Sequence, residues 1–337
     1  MSAENAVIEY ESFATLHNWA KLADSGDHQV FNSSSELWSA QEDKKPQVRP
    51  DGVILGGKIE PAGAQDKVNV SAAKVYQGGK EVNVLAAAGL TVTRGVTDSC
   101  VVNSVIVNAS GAYAIVVGDE GTALSEVRGA AGGPPWIPTG AIEIGQIRLT
   151  SKTGAVVSAD EILQGENVHI EMAVIPVYEV RYVTAENGVL GLAGVTFKAQ
   201  LPVIHSDDDG VTTKTKEVWA KWYEPEFIQV DAATGFGASE KTYSVQSNQV
   251  YGGVKTSIAA SIGQGQFTVY LQDGISDNFL RAKDTTRMVK FLPDRNNPGV
   301  FRMEIGKIGV KRTWPASGDI TAACTLSPIT EGVEVYE

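Results

Sequence analysis

Short runs of alternating apolar and polar residues, rich in Val, Ile and Thr, fill most of the chain beyond position 52. A period of two, with Gly, Asn and Asp between the runs, predicts antiparallel β-strands. The predicted strands are Val53–Ile59, Lys67–Val75, Lys80–Leu85, Leu90–Arg94, Cys100–Asn108, Ala112–Val117, Ile142–Leu149, Met172–Val183, Val195–Leu201, Val218–Tyr223, Gln266–Leu271 and Arg302–Val310. The pattern therefore predicts a mainly β protein.

Two segments depart from this alternation. Phe13, Leu16 and Ala20 recur at spacings of three and four, which predicts a helix over residues 11–23 because such residues share one helical face. A second short helix is predicted over Ser276–Asp284, between two predicted strands.

The length of 337 residues predicts about two domains, since single cores rarely grow beyond roughly 250 residues. Residues 1–50 are polar and broken by prolines after the predicted helix, so we expect an N-terminal arm with a short helix. Residues 51–165 are predicted to form a β-sandwich-like domain, and residues 166–337 a second β domain.

The formal net charge of −12 disfavours a protein that grips nucleic acid through its phosphates, because such binding requires clustered Lys and Arg. An acidic channel wall would instead let DNA pass without binding. Cys100 and Cys324 are far apart, which fits assembly in a reducing cytoplasm. The acidic N-terminus is unlike a signal peptide, and no apolar run is long enough to predict a membrane span.

No constellation of residues predicts a cofactor, a metal site or a catalytic centre. His17, His28, His169 and His205 lack the spacing of zinc ligands. The acidic stretch Asp207-Asp208-Asp209-Gly210 does not fit a helix–loop–helix calcium site, because position 12 of the loop would be Lys216. We therefore expect a protein that is not an enzyme.

One catalytic alternative stays open at this point. Glu224 and Glu226 lie two residues apart next to Trp222, which is the composition of a carbohydrate-active site with two carboxylates and a stacking ring. Alternation along one strand and burial of the aromatic ring explain the same residues without chemistry.

The C-terminal half carries a resemblance to a known family. It contains Phe291-Leu292-Pro293-Asp294-Arg295, then Gly306–Trp314 with a corner at Pro315–Asp319, then Ile320–Thr325. The order of strand, single helix, strand, turn, hairpin and strand resembles the major tail tube proteins of bacteriophages with long non-contractile tails. The resemblance covers roughly residues 168–337.

The resemblance implies a tail-tube β-sandwich or barrel with one flanking α-helix. Six copies would form a ring, and stacked rings would form the virion tail tube through which DNA passes without specific binding. Assembly would take place in the host cytoplasm, with the chain itself and the tail terminator, tail tip and tape-measure proteins as partners. Residues 51–165 would decorate the outside, and a capsid decoration or baseplate protein is the alternative.

The resemblance also places candidate contact residues. The polar segment 205–217 corresponds to a hairpin that reaches the next ring, which implies contacts from His205, Asp207, Asp208, Asp209, Lys214, Lys216 and Glu217. Acidic candidates for the lumen or a subunit interface are Asp273, Asp277, Asp294, Glu304 and Asp319.

Overall fold

The computed structural model describes residues 4–33, 37–164, 177–182, 185–186, 189–190, 192–207 and 212–336, and nearly all regular structure in them is β, as predicted. Strands before residue 52 are β1 (Val7–Lys21), β2 (Ala23–Asp24), β3 (Val30–Asn32) and β4 (Gln47–Pro50). Strands from 52 to 164 are β5 (Gly52–Gly56), β6 (Ile59–Pro61), β7 (Lys67–Val70), β8 (Ala73–Gln77), β9 (Lys80–Val84), β10 (Ala87–Thr91), β11 (Val101–Val107), β12 (Tyr113–Val117), β13 (Ile137–Pro138), β14 (Ile142–Leu149) and β15 (Ile162–Gln164).

The remaining strands lie beyond residue 177. They are β16 (Tyr178–Arg181), β17 (Ala185–Glu186), β18 (Val189–Leu190), β19 (Gly194–Phe197), β20 (Val203–Ser206), β21 (Thr213–Thr215), β22 (Val218–Gln229), β23 (Ala233–Gly237), β24 (Lys241–Val250), β25 (Gly253–Ile262), β26 (Gly265–Tyr270), β27 (Thr286–Leu292), β28 (Phe301–Thr313), β29 (Thr321–Pro328) and β30 (Val333–Val335). The predicted strand Met172–Val183 falls partly outside the described residues, and β16 is its described part.

The largest sheet joins the two ends of the chain. Within the described residues its order is β23-β26-β29-β28-β27-β1-β22-β4, and β30 pairs with β28. All of these pairs are antiparallel. Buried apolar side chains form a core against this sheet, among them Ile8, Tyr10, Phe267, Val289, Ile308 and Leu326.

The predicted helix over residues 11–23 is wrong, because this segment is the long strand β1. Its pairing with β22 shifts between Glu11 and Phe13 and again between His17 and Ala20. Each shift inserts an extra residue and moves the following side chains to the other face. Phe13 and Leu16 lie on the regularly paired stretch between the two shifts, so their spacing of three places them on opposite faces of β1. Phe13 is 59% exposed, so it belongs to no buried helical face.

An α-helix over Ser276–Asp284 is not confirmed. The chain forms a short 3-10 helix at Asn278–Ala282, and another at Ala159–Glu161. Phe279 is buried, with its ring edge-on to Tyr10 at a centroid distance of 5.2 Å. Phe279 and Ala282 are the buried residues that pack this short segment into the core of the large sheet. None of the described helices is long and apolar enough to cross a membrane.

Residues 52–164 have a β-sandwich-like character with their own core. Three small sheets, β10-β7-β6, β12-β11-β14-β15 and β5-β8-β9, surround it. The core is made by apolar residues from all three sheets, including Val68, Val75, Val105, Ile142 and Leu149. The predicted boundary near residue 165 stays a prediction, since residues 165–176 are outside the described part.

The N-terminal segment connects the two β regions. The guanidinium of Arg49, on β4, lies 4.7 Å from the ring of Trp19 and 4.4 Å from the ring of Tyr76. Asp51 donates its backbone N–H to the carbonyl of Glu217 at 2.8 Å. The first 50 residues therefore pack with the large sheet and also contact residues 52–164. The predicted boundary at residue 50 stays a prediction.

Candidate assembly surface

A long two-stranded ribbon is the most exposed element of the described chain. It consists of β24 and β25, which pair without a register shift from Lys241↔Ile262 to Val250↔Gly253. Tyr251 and Gly252 form its tip, and Gly252 has the positive φ of +92° that a tight turn between strands favours. The ribbon is inserted between β23 and β26, which are neighbours in the large sheet.

The ribbon has two chemically different faces. Cross-strand partners share a face, so the pairs Tyr243↔Ala260 and Val245↔Ile258 lie on the same side. Tyr243, Val245 and Ile258 are 66%, 62% and 68% exposed. The other face carries mainly small polar side chains: Thr242, Ser244, Gln246, Asn248, Ser257 and Ser261. The ribbon is therefore amphipathic, but its apolar face is exposed to solvent.

No ribbon side chain belongs to the buried apolar clusters among the described residues. An isolated two-stranded hairpin is marginally stable in water, because it has one hydrogen-bonded ladder and no hydrophobic face to bury. Neither outer edge of the ribbon pairs with another described strand, so its backbone groups can pair with a strand of a second chain. The ribbon therefore gains stability when its apolar face or an edge is covered.

The ribbon differs in charge from the rest of the chain. The whole chain has a formal charge of −12, whereas residues 241–262 contain Lys241 and Lys255 and no Asp or Glu. A cationic projection on an acidic protein is attracted to the acidic surface of another copy.

An arginine and two carboxylates hold the root of the ribbon. Arg302, on β28, donates through Nε to Glu304 at 2.8 Å and through Nη1 to Glu334 at 2.7 Å. Its Nη2 donates to the carbonyl of Ser239 at 2.8 Å, two residues before the ribbon begins. Glu304 is fully buried and also accepts the backbone N–H of Ser239 at 2.9 Å. The root is therefore fixed even though the ribbon itself is uncovered.

An apolar groove of about 380 Å³ adjoins this root. Phe236 and Phe291 stack in its wall with a centroid distance of 4.4 Å. Its other apolar lining residues include Pro293, Val300, Phe301 and Tyr336. Glu240 and Glu334 lie at the same groove, with side chains 69% and 63% exposed. The groove is thus apolar inside and acidic at its rim.

The predicted contact segment 205–217 lies elsewhere and is partly internal. His205 is buried on β20, which pairs in parallel with β13. Its Nε2 lies 2.8 Å from the carbonyl oxygen of Ala141, and burial lowers the pKa of the imidazole. Lys216 is also buried. These two side chains are therefore on no surface that another copy could contact.

The remaining residues of that segment differ in position. Lys214 Nζ donates to Asp207 at 2.7 Å on the half-exposed part of the β20–β21 hairpin. Glu217 accepts from Lys21 at 2.5 Å. Asp208 and Asp209 lie outside the described residues. A contact role for Asp207, Lys214 and Glu217 stays a prediction.

The acidic lumen candidates do not form one cluster. Asp273 is exposed and accepts hydrogen bonds from the Ser276 hydroxyl and from the backbone N–H groups of Ser276 and Ile275, which lower its pKa to about 2. Asp277 accepts the backbone N–H of Gln272 at 2.8 Å. Each of these two carboxylates caps a loop beside β26.

The other candidates divide between turns and the core. Asp294 accepts the backbone N–H of Asn296 at 2.9 Å in the turn after β27, and Asp319 is exposed in the turn between β28 and β29. Glu304 is the buried partner of Arg302. Burial removes Glu304 from any lumen surface of the chain, whereas the exposed carboxylates remain candidates.

Trp222 does not present a ring for stacking on a sugar. It is 2% exposed, and its ring lies between His17 at 4.2 Å and Trp38 at 5.4 Å. Glu226 accepts a hydrogen bond from the Thr15 hydroxyl across the β1–β22 pair. Trp222 is thus a core residue, which agrees with the explanation that the aromatic ring of this segment is buried.

None of the predicted strands covers the ribbon, although a signal for it is present in the sequence. Residues 241–262 alternate in polarity on both sides of Gly252-Gly253, a dipeptide that favours a hairpin turn. The alternation is weak because one face is made of Ser, Thr, Gln and Asn, which are also common in loops.

The described residues contain no group of three or more His, Cys, Asp or Glu side chains that could hold a metal ion. The polar clusters described above instead hold turns, strands and the ribbon root. No protein-family model and no curated protein matches this chain.

Proposed function

We propose that this protein is a structural subunit that assembles with copies of itself, and that the assembly is the tail tube of a bacteriophage with a long non-contractile tail. Hexameric rings would stack, and DNA would pass through the lumen without specific binding. The observation that carries the proposal is the uncovered ribbon Lys241–Ile262, which exposes an apolar face and two strand edges.

Three further features support self-assembly. The ribbon is cationic on a chain of net charge −12, so it is complementary to other copies of the same chain. Its root is held by a buried carboxylate and an arginine, which gives the projection a defined direction. The ribbon and the groove at its root are different surfaces, and contacts between different surfaces of identical chains lead to rings or open stacks.

The proposal is tested by negative-stain electron microscopy of the purified chain at rising concentration, with and without the ribbon. Glu240 and Gly263 flank the ribbon, and the N–H of Gly263 donates to the carbonyl of Glu240 at 2.9 Å. Residues 241–262 can therefore be replaced by a short Asn-Gly turn without opening the sheet. We expect six-fold rings or hollow tubes from the full chain and monomers from the shortened chain.

A matched pair of point variants separates the two faces. Ile258→Thr removes an apolar contact from one face, and Ser257→Thr makes the same β-branched residue on the other. We expect Ile258→Thr to raise the concentration needed for assembly at least tenfold and Ser257→Thr to leave it nearly unchanged. A full chain that stays monomeric or trimeric at all concentrations would contradict the proposal and favour a capsid decoration or baseplate protein.

A further inference from the structure

The groove at the ribbon root is lined mainly by apolar side chains. Its volume of about 380 Å³ lies in the range of cavities that bury small apolar groups, which begins at roughly 300 Å³. The wall consists of aromatic rings and aliphatic side chains, including Phe236, Phe291 and Val300. Among the described lining residues Arg302 is the cation, and each of its three nitrogens already donates to Glu304, Glu334 or Ser239. The part of the wall that the structure describes therefore offers an anionic ligand no cation that is not already paired.

The tip of the ribbon has the matching chemistry. Tyr251 is fully exposed, and tyrosine is one of the residues that most often anchor protein interfaces. Val250 and Val254, on either side of the tip, are 49% and 62% exposed. Lys255 lies two residues into the second strand, where it can approach a carboxylate on a partner.

The tip cannot occupy the groove of its own chain. Glu240 lines the groove and directly precedes the first ribbon strand. Ten residues of antiparallel strand extend about 30 Å, so Tyr251 lies about that far from its own groove. The pairing is unbroken along its whole length, which keeps the ribbon from folding back.

We propose that the groove binds the ribbon tip of a second copy of this chain, with Tyr251 as the anchor and Lys255 facing Glu240 and Glu334 at the rim. This inference rests on the proposed self-assembly and names its receiving surface. The three carboxylates Glu240, Glu304 and Glu334 surround a single guanidinium, so the rim has an excess of negative charge. The contact is head to tail, because the tip and the groove are at opposite ends of the ribbon.

Cross-linking between two variants that each add one exposed cysteine tests the contact. Val250→Cys places a thiol beside the tip and keeps Tyr251, and Val300→Cys places one in the groove wall. The two native cysteines, Cys100 and Cys324, are buried. The variants carry different tags, are mixed with a flexible bismaleimide, and heterodimers are counted on a denaturing gel.

The control replaces the groove thiol with Ile275→Cys, which is 77% exposed in the loop that follows β26. We expect at least tenfold more heterodimer with the groove variant than with this control. Equal yields, or a higher yield with Ile275→Cys, would overturn the groove assignment.

Charge exchange supplies a second measurement. Lys255→Glu in the tip chain should lower the heterodimer yield at least tenfold, and Glu240→Lys in the groove chain should restore much of it. Tyr251→Ala in the tip chain should lower the yield similarly without changing thermal unfolding, since the side chain is fully exposed. No loss with either tip variant would contradict the proposed anchor.

The outcomes separate this inference from the proposed function. Tubes from the full chain without cross-linking to the groove would overturn the groove contact and leave the tail tube proposal standing. Cross-linked oligomers without rings or tubes would support the groove contact and contradict the tube. A monomer without cross-links would overturn both.

Discussion

Gly79 lies against the indole ring of Trp19, so closely that an added Cβ would come within 2.6 Å of the ring atom Cε3. Gly79 belongs to the turn between β8 and β9, whereas Trp19 lies on β1 of the large sheet. Only a residue without a side chain allows this approach between the two β regions. The contact shows that residues 52–164 pack directly on the N-terminal strand.

Gly79→Ala should destabilise the protein by about 2–4 kcal/mol, because the methyl group overpacks Trp19 and the residue has a φ of +73°. Gly78→Ala is the matched control, since Gly78 also has a positive φ of +62° but nothing within 4 Å of an added Cβ. Chemical denaturation of both variants measures the difference. Equal losses would show that backbone strain, and not the Trp19 contact, sets the effect.

Glu304→Gln should destabilise the protein by about 3–5 kcal/mol, because it removes a fully buried charge beside Arg302 and weakens the acceptor for Ser239. Glu334→Gln changes the exposed partner of the same arginine and should cost less than about 1 kcal/mol. Unfolding in urea measures both. A loss from Glu304→Gln no larger than that from Glu334→Gln would contradict a structural role for the buried carboxylate.

Asp51 should make folding less favourable as pH rises from about 4 to 8. Burial, with the nearby Glu217, raises the pKa of Asp51 to about 8. Between about pH 4 and 8 the folded chain therefore holds a proton on Asp51 that the unfolded chain has released. The contribution of Asp51 to the free energy of unfolding is full below about pH 4 and is lost as the pH rises to about 8. We expect the difference in stability between Asp51→Asn and wild type to shift in favour of the variant over this range, by at most about 1.4 kcal/mol per pH unit.

Lys216 has the opposite effect on stability, which it raises as the pH increases above about 8. Burial lowers its pKa to about 8, and its Nζ has no hydrogen-bond partner among the described residues. The unfolded chain keeps this proton up to about pH 10.5, so the contribution of Lys216 to stability falls as pH drops from about 10.5 to 8. Lys216→Met should remove this dependence. A pH profile of unfolding that is parallel for wild type and both variants would contradict the assignment.

Trp222→Ala should destabilise the protein by about 3–5 kcal/mol, because it leaves a cavity between His17 and Trp38. Trp314→Ala is the control, since Trp314 is 51% exposed. Thermal unfolding compares the two variants. A small effect at Trp222 would mean that its ring is free to act elsewhere and would reopen the carbohydrate-binding alternative.

The sequence located many strands but misassigned β1. Predicted segments such as Gln266–Leu271 overlap observed strands because alternation is a local property of a strand with one buried face, and β26 alternates between buried and more exposed positions. The spacing of Phe13, Leu16 and Ala20 indicated a helix because β1 lacks the alternation of a strand with one buried face. Phe13 and Leu16 are both exposed, and a register shift against β22 falls between His17 and Ala20. A bulge is defined by the partner strand, and the partner is about 200 residues away in the chain.

The candidate site was harder to predict than the fold. Polar composition selected the segment around His205, but tertiary packing buries His205 and Lys216. The ribbon was missed because its polar face has the composition of a loop, and its exposure follows from the absence of any described element packed against it.

By itself, the sequence determined the β class, the acidic character of the chain and the approximate positions of many strands, because these depend on local composition and periodicity. Only the tertiary structure decided that β1 lies inside the large sheet, that Glu304 is buried beside Arg302, and that residues 241–262 project from the sheet. Those features depend on contacts between residues far apart in the chain, and local periodicity carries no information about such contacts.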